Sequence, residues 1–287
     1  MRKVTQYALA GMALALCLAG CREAPDAVVP NVVVAPAASL PAEPSAEVWN
    51  QAPEYATALI PQDQVDPRQM ERTTGELRIR AFTDGVRVVF RLQWTDQTQD
   101  DLATSATFSD ACAVQLPGEF QPTIPAPQMG ESGHPVHITY WSAAWQAALE
   151  GRRDSLKDLY PNATVDHYPF EAPSLEPGSA EQEAMAVRYA PARALGNLMA
   201  RPREKPVQDL IAEGPGTLTA TASTASDGRG ERSEDGWTVV ITRQLPEGFD
   251  TAAPAQVAFA VWEGSHKEVG ARKMRTGWIT LTKLQKP

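Results

Sequence analysis

Apolar and polar residues alternate along several short segments of the chain. Residues 77–82 alternate, and after Asp84-Gly85 the alternation resumes over residues 86–94. Two such runs joined through Asp-Gly predict a β-hairpin, because Asp and Gly tolerate the backbone conformation of a tight turn. Further strand-like segments follow at residues 111–116, 136–141, 216–222, 237–243, 257–262 and 278–284.

These strands predict the fold class. Roughly eight strands without regular strand–helix alternation favour a mostly β protein, an antiparallel β-sandwich with a few short helices in inserted loops. Helical periodicity is confined to residues 142–150, 180–189 and 205–213. No internal repeat or boundary interrupts residues 47–287, so we expect one domain there.

The start of the chain has the layout of an export signal. Residues 1–3 are positively charged, residues 8–18 are apolar, and the sequence Leu-Ala-Gly-Cys ends at Cys21. This pattern resembles a bacterial lipoprotein signal, in which residues 1–20 are removed and Cys21 is acylated. It predicts a protein on the periplasmic side, lipid-anchored to the outer or the inner membrane. An ordinary secretory leader with a chance cysteine is the alternative.

The next segment and the net charge narrow the choice of partners. Residues 21–46 are rich in Ala, Val and Pro, which predicts an extended tether between the anchor and the domain. The chain carries 26 Lys and Arg against 35 Asp and Glu, a net charge of -9. This balance lacks the basic surface that nucleic acid selects, so nucleic acid is not an expected partner.

Few residues are arranged for catalysis or metal binding. His134 and His137 are three apart near a strand start and would face opposite sides of the strand, which does not suit zinc. The hydrolase sequence Gly-x-Ser-x-Gly and the haem-attachment sequence Cys-x-x-Cys-His are both absent. The acidic segment around Asp96 to Asp110 lacks the spacing of a calcium loop and predicts a solvated loop.

Tryptophans near the strand ends suggest a ligand-binding interior. They are Trp141, Trp145, Trp237, Trp262 and Trp278. Such aromatic side chains are core residues first and ligand platforms second. The pattern therefore indicates an exported sandwich whose interior can hold something flat and apolar. A carbohydrate- or other ligand-binding module is the alternative function, since aromatic platforms on similar sandwiches bind sugars.

Several segments together resemble a known family. They are residues 94–96, 108–117, 129–130, 135–143, 214–218, 236–243 and 257–265, followed by Lys273 and Trp278. Their order and spacing are similar to those of the haem b-binding gamma subunits of the type II dimethyl sulfoxide reductase family. Members include the gamma subunits of ethylbenzene dehydrogenase, dimethylsulfide dehydrogenase, selenate reductase and chlorate reductase. The resemblance extends over nearly the whole predicted domain.

The resemblance implies one non-covalent haem b with a methionine and a lysine as axial ligands. At the matching positions these residues are Met129, which follows the proline-rich residues 122–127, and Lys273. A lysine must lose its proton before it can bind iron, and an apolar pocket favours that loss. A haem with two strong axial ligands has no free position for a substrate, so its role is electron transfer.

Further candidate residues surround these two. Three close neighbours of Lys273 stay open as the second ligand, namely His266, Lys267 and Met274. His137 and Trp141, which share a predicted strand, are additional candidate haem contacts.

The resemblance also implies partners. It makes the chain a non-catalytic subunit of an exported molybdenum oxidoreductase, beside an alpha subunit with molybdopterin and a beta subunit with iron–sulfur clusters. Without its leader the chain retains only Cys21 and Cys112, too few to bind a cluster. Electrons would pass between the beta subunit and an external carrier. A basic c-type cytochrome would suit the negative charge of the chain.

Overall fold

The structure is a computed structural model that describes residues 31–102, 106–152, 160–163, 176, 178–195, 197, 203–249 and 255–284. The predicted export signal and Cys21 lie outside these residues. Within them, no helix combines the length and the apolar character needed to cross a membrane.

Strands dominate the described part of the chain. They are β1 (Asn31–Pro36), β2 (Tyr55–Ala58), β3 (Ile60–Pro61), β4 (Glu76–Thr83), β5 (Arg87–Thr95), β6 (Ala111–Pro117), β7 (Val136–Ser142), β8 (Val207–Ala212), β9 (Thr219–Ala220), β10 (Asp227–Arg232), β11 (Gly236–Gln244), β12 (Ala255–Trp262), β13 (Met274–Arg275) and β14 (Ile279–Lys283). The α-helices are α1 (Ala143–Leu149), α2 (Ala180–Tyr189) and α3 (Pro191–Ala194). Short 3-10 turns lie at Glu47–Gln51 and Gly264–His266.

One strand, β12, joins two sheets. Residues 255–257 pair with β14 and residues 258–262 pair with β6. The first sheet therefore has the order β10-β11-β5-β4-β1-β14, and the second has the order β12-β6-β7-β8-β9 with β13 on the other edge of β12. All pairs are antiparallel except those of β1, which runs parallel to both β4 and β14.

The two sheets enclose the main hydrophobic core. Phe90 of the first sheet meets Phe259 of the second with ring centroids 5.5 Å apart, and Trp237 meets Trp141 at 5.2 Å. All four side chains belong to one cluster of buried apolar residues. These contacts confirm the predicted mostly β sandwich, and the predicted hairpin is β4–β5.

The predicted tether is wrong for residues 31–46. Residues 31–36 form β1 inside the first sheet, where Val32 and Val34 are 1% and 0% exposed. The following segment is also bound to the domain, since Trp49 Nε1 and Arg91 Nε donate to the carbonyl oxygens of Glu43 and Pro44. Composition suggested an extended chain correctly, but the strands that pair with β1 lie far away in sequence.

Two further local predictions are wrong. Residues 205–213 were expected to be helical, but β8 runs through them and pairs with β7 along its length, so sheet pairing overrides the local pattern. The acidic segment is not solvated throughout, because Asp96, Asp101 and Asp110 are 2%, 6% and 0% exposed. Helices α1 and α2 agree with the other helical predictions.

Asp110 is buried because it joins the strands around it. Its Oδ2 accepts hydrogen bonds from the Asp100 backbone N and from Trp237 Nε1, and its Oδ1 accepts one from the Gly264 backbone N. The carboxylate thus connects the start of β6 to β11 of the opposite sheet and to the end of β12. Strands β6 and β12 also carry part of the site described below.

A glycine on β10 provides a test of the sheet packing. A Cβ at Gly230 would clash with Cζ2 of Trp141, which is fully buried. We expect Gly230→Ala to lower the free energy of unfolding by about 1–3 kcal/mol through overpacking, measured by urea denaturation. Gly75→Ala is the control, because its Cβ would meet only Arg72 Nη2 at 4.0 Å. Equal stabilities of the two variants would contradict this packing.

Candidate functional site

A cavity of about 530 Å³ lies on the outer face of the second sheet. Side chains alternate along β6, so Val114 points into the core while Ala113 and Gln115 line the cavity. Strands β7, β8 and β12 also line it, together with Trp145 of α1 and Arg275 of β13. The loop residues that line it are Gln62, Val65, Asp66, Pro67, Pro127, Gln128, Met129, Pro215, Gly216, Leu218, Gly270, Ala271, Lys273 and Thr276. The prediction of a ligand space between the sheets is therefore wrong, because the packed side chains of the core already occupy that space.

Small side chains create this space. Two cross-strand rows line the sheet side of the cavity, one through Ala258, Gln115, Ile138 and Leu210 and the next through Ala260, Ala113 and Tyr140. Alanine occupies three of these positions, where larger side chains would fill the volume. Cavities that bind cofactors and other small molecules typically measure about 300–1,000 Å³, so this one is large enough for such a ligand.

Aromatic side chains form one wall. The Tyr140 ring lies edge-on between Trp145 and Trp262, with centroids 5.2 Å away from each. Trp262 Nε1 donates to the Gly270 carbonyl oxygen at 3.0 Å, which ties the wall to a covering loop. Burial raises the pKa of Tyr140 above its usual range, so its phenol stays protonated at physiological pH. The wall is thus uncharged and rigid.

Met129 reaches the cavity from the loop between β6 and β7. Its backbone is left-handed, with φ of 68°, a conformation that costs a methionine free energy. The turn is held by two hydrogen bonds, from the Gly130 N to the Ala126 carbonyl oxygen at 2.9 Å and from the Gly214 N to the Met129 carbonyl oxygen at 2.8 Å. A Cβ at Gly130 would lie 2.8 Å from the His134 carbonyl oxygen, which explains the glycine there. The backbone of Met129, which carries the thioether, is therefore held in place.

Lys273 reaches the same cavity from the residue before β13. Its carbonyl oxygen accepts a hydrogen bond from the Gln62 N at 3.0 Å, and its Nζ lies 5.0 Å from the ring centroid of Trp262. Burial, assisted by the Arg275 guanidinium, lowers the pKa of Lys273 to about 8. Among the described residues, no carboxylate lies within 4.0 Å of this amine.

The lowered pKa changes what the amine can do. Deprotonation of an ordinary lysine at pH 7 requires roughly 4–5 kcal/mol, and a pKa of about 8 reduces this to roughly 1–2 kcal/mol. A neutral amine has a lone pair for a metal. The cavity therefore offers a thioether sulfur and an amine that can be deprotonated at a small free-energy cost.

The three alternatives to Lys273 lie elsewhere. His266 and Lys267 are exposed, and His266 Nδ1 is 3.0 Å from Glu263 Oε1. Met274 is 0% exposed and belongs to the core between the sheets. None of the three is among the residues that line the cavity. The structure therefore brings Met129 together with Lys273 and not with its neighbours.

His137 and Trp141 lie on the other face of β7. The cavity receives Ile138 and Tyr140 from this strand, and alternation turns His137 and Trp141 away from it. Trp141 is 0% exposed and packs against Trp237. Burial, with the nearby Arg243 guanidinium, lowers the pKa of His137, so it is a neutral residue of the sandwich. The structure does not bring either residue to the cavity.

Several lining residues were not predicted from the sequence. Tyr140 and Ala260 lie within the segments that carry the family resemblance, but the pattern alone did not show which face of each strand meets a ligand. Arg275 was also missed, although it follows Lys273 by two residues on a short strand. A strict period-two reading of β7 and β12 would have grouped Ile138 with Tyr140 and Ala258 with Ala260.

Together these observations define a class of protein, a β-sandwich with a ligand cavity on the outer face of one sheet and a thioether and a readily deprotonated amine within it. The chain belongs to the ethylbenzene dehydrogenase family, whose model matches residues 46–274.

Two curated relatives are similar over most of the chain. One, from Haloferax mediterranei, carries the name of a respiratory nitrate reductase heme subunit and is 24% identical over 83% of this chain and 67% of its own length. The other is the chlorate reductase subunit gamma of Ideonella dechloratans, which is 22% identical over 97% of both chains.

Solved structures show a weaker likeness. A family 9 carbohydrate-binding module from Caldicellulosiruptor kristjanssonii, in complex with cellotriose, has a TM-score of 0.40 and 10% identity over 89% of this chain and 95% of that module. A glucose complex of a family 9 module from the same organism has a TM-score of 0.38 and 8% identity, over 90% of this chain and 97% of that one. Scores this low carry no argument for carbohydrate binding.

Proposed function

We propose that this chain is the haem b-carrying, electron-transfer subunit of an exported molybdenum oxidoreductase complex. The observation that carries the proposal is that Met129 and Lys273, over 140 residues apart in sequence, line one cavity. Membership of the ethylbenzene dehydrogenase family supports it. So do two relatives whose names describe a nitrate reductase heme subunit and a chlorate reductase gamma subunit.

The residues of the cavity fit a haem. Its walls are mainly aromatic and aliphatic, as an apolar ring system requires, and its volume of about 530 Å³ lies in the range of cofactor pockets. The thioether of Met129 needs no deprotonation, and the lowered pKa of Lys273 reduces the cost of forming the neutral amine. Both donors are of types that bind iron, so Met129 and Lys273 would hold the haem iron.

The chain itself would perform three tasks. Met129 and Lys273 would hold the iron from the protein and so exclude substrates and dioxygen from it. A thioether ligand raises the reduction potential, as methionine does in cytochromes c. The covering loops would keep water out, and Gln128 of one loop donates to Gln64 of another at 2.5 Å. When bound, the haem would supply one-electron transfer.

The proposed complex has its chemistry in other subunits. A molybdopterin alpha subunit would react with the substrate, and the iron–sulfur clusters of a beta subunit would exchange electrons with this chain. A c-type cytochrome is the proposed external carrier. Acylated Cys21 would hold the complex at a membrane on the periplasmic side. Because β1 begins at Asn31, only residues 22–30 separate anchor and domain, a reach of at most about 30 Å.

Haem titration tests the proposal. We expect the chain without its leader to take up haemin with one-to-one stoichiometry and, on reduction, to show the sharp α and Soret bands of a six-coordinate, low-spin b haem. Quenching of tryptophan fluorescence should accompany binding, since Trp145 and Trp262 line the cavity. A protein that remains colourless, or that binds cello-oligosaccharides instead, would contradict the proposal.

Haem affinity should depend on pH through Lys273. Below its pKa of about 8 the proton competes with iron for the amine, so the apparent affinity should fall by up to about tenfold for each pH unit. Above that pKa it should be flat. Haemin titrations of wild type and Lys273→Ala between pH 6 and pH 9.5 measure this difference. A parallel pH dependence in both proteins would show that another group is responsible.

A further inference from the structure

Arg275 places a buried positive charge at the proposed haem site. Its backbone, on β13, pairs with Ile60 of β3 and Ala260 of β12, so the residue is held between two strands. Its side chain lines the cavity and the residue is 8% exposed. Arg275 is therefore anchored in the protein and faces the same space as Met129 and Lys273.

The hydrogen-bonding groups of Arg275 are incompletely used. Its Nη1 donates to the Thr276 carbonyl oxygen at 3.3 Å, while its buried Nε has no partner in the part of the chain that the structure describes. The Asp63 carboxylate acts on the guanidinium only from a distance, since no ion pair within 4.0 Å forms between Arg275 and a described acidic residue.

A buried guanidinium in this position would be stabilised by a bound anion. An unpaired buried charge is unfavourable unless an opposite charge and hydrogen-bond acceptors reach it. Arginine presents parallel N–H groups that match the two oxygens of a carboxylate. The cavity beside Arg275 is the space from which such a carboxylate can come.

We propose that Arg275 binds a carboxylate of the cavity's ligand, so that the site selects a large apolar ring system that carries an acidic side chain. This inference rests on the proposed function, in which that group is a propionate of the haem. It adds to the two iron ligands a third fixed contact at the edge of the ring. Arg275 is therefore a positioning residue that sets how the ring is turned in the cavity.

Haemin and its dimethyl ester separate this contact from apolar binding. The ester retains the iron and the ring but lacks free carboxylates. Burial of apolar surface alone predicts that the ester binds at least as tightly as haemin. A carboxylate contact to Arg275 predicts that it binds about 10- to 100-fold more weakly. Dissociation constants from absorbance and tryptophan quenching give this ratio on the unmodified protein, with no risk of misfolding.

Two variants complete the test. Arg275→Gln should weaken haemin binding by about 10- to 100-fold and abolish the difference between haemin and ester, whereas Arg275→Lys should restore part of it through its point charge. Arg272→Gln is the matched control, because Arg272 is an exposed arginine three residues away. It should leave both constants unchanged.

The possible results distinguish the two proposals. Wild type that binds neither haemin nor ester would overturn the proposed function itself. Wild type that binds both equally, or an Arg275→Gln variant that still prefers haemin over the ester, would overturn only the role of Arg275.

Discussion

Met129→Ala is expected to convert the low-spin haem of the reconstituted protein into a high-spin form. The cavity would lose the Met129 sulfur, and among its lining residues in the described part of the chain there is no other methionine or cysteine to replace it. Haemin affinity should fall by at least about 10- to 100-fold, the range seen when an outer-shell partner alone is removed. The absorbance spectrum reports the spin state, and a titration reports the affinity.

The reduction potential provides an independent readout of the same change. Loss of the thioether should lower it by on the order of 100 mV, a fraction of the roughly 0.8 V that axial ligands span. Met70→Ala is the control, since Met70 is 72% exposed and is not part of the buried core. An unchanged spectrum and potential in Met129→Ala would remove Met129 as a ligand.

Lys273→Ala, which removes the second proposed ligand, is expected to have an effect comparable to that of Met129→Ala. The variant should bind haemin in a high-spin form with at least about 10- to 100-fold lower affinity. Because alanine leaves a space where the amine was, added methylamine or imidazole should restore the low-spin spectrum. This rescue identifies a missing ligand, since a general loss of structure would not respond to an added base.

A variant of a residue near Lys273 serves as the control for the assignment of the second ligand. Lys267→Asn should keep the low-spin spectrum, because Lys267 is exposed, and asparagine tolerates its left-handed φ of 58°. A low-spin spectrum in Lys273→Ala without added base, combined with its loss in Lys267→Asn, would transfer the ligand role to Lys267.

Local patterns predicted most of the strands because successive side chains of a strand point to opposite faces, which differ in polarity. The hairpin β4–β5 was recognised from two alternating runs around Asp84-Gly85, and β6, β7, β11 and β12 fall on segments predicted as strands. The prediction missed β2, β3, β10 and β13, and it was wrong at β1 and β8, which were expected to be part of a tether and of a helix. Both segments receive their structure from pairing with strands that are distant in sequence, and no local pattern contains that information.

The candidate site was accessible from the sequence only through its resemblance to a family. That resemblance selected Met129 and Lys273 among the methionines and lysines of the chain, and their role as iron ligands stays a prediction. His137 and Trp141 were additional candidates, but both lie on the face of β7 opposite the cavity, and Trp141 belongs to the core. The error arises because adjacent positions on a strand point to opposite faces, and a motif does not state which face meets the ligand.

The sequence by itself determined the strand-rich fold, through period-two alternation, and its resemblance to a family selected Met129 and Lys273 as the candidate donor side chains. Only the tertiary structure decided that the cavity lies outside the second sheet, that residues 31–36 close the first sheet, and that Lys273 and Arg275 face one apolar space. The physical reason is that burial, pKa and the pairing of charges depend on groups that meet only when distant segments pack together. Such contacts have no signature in the local order of residues.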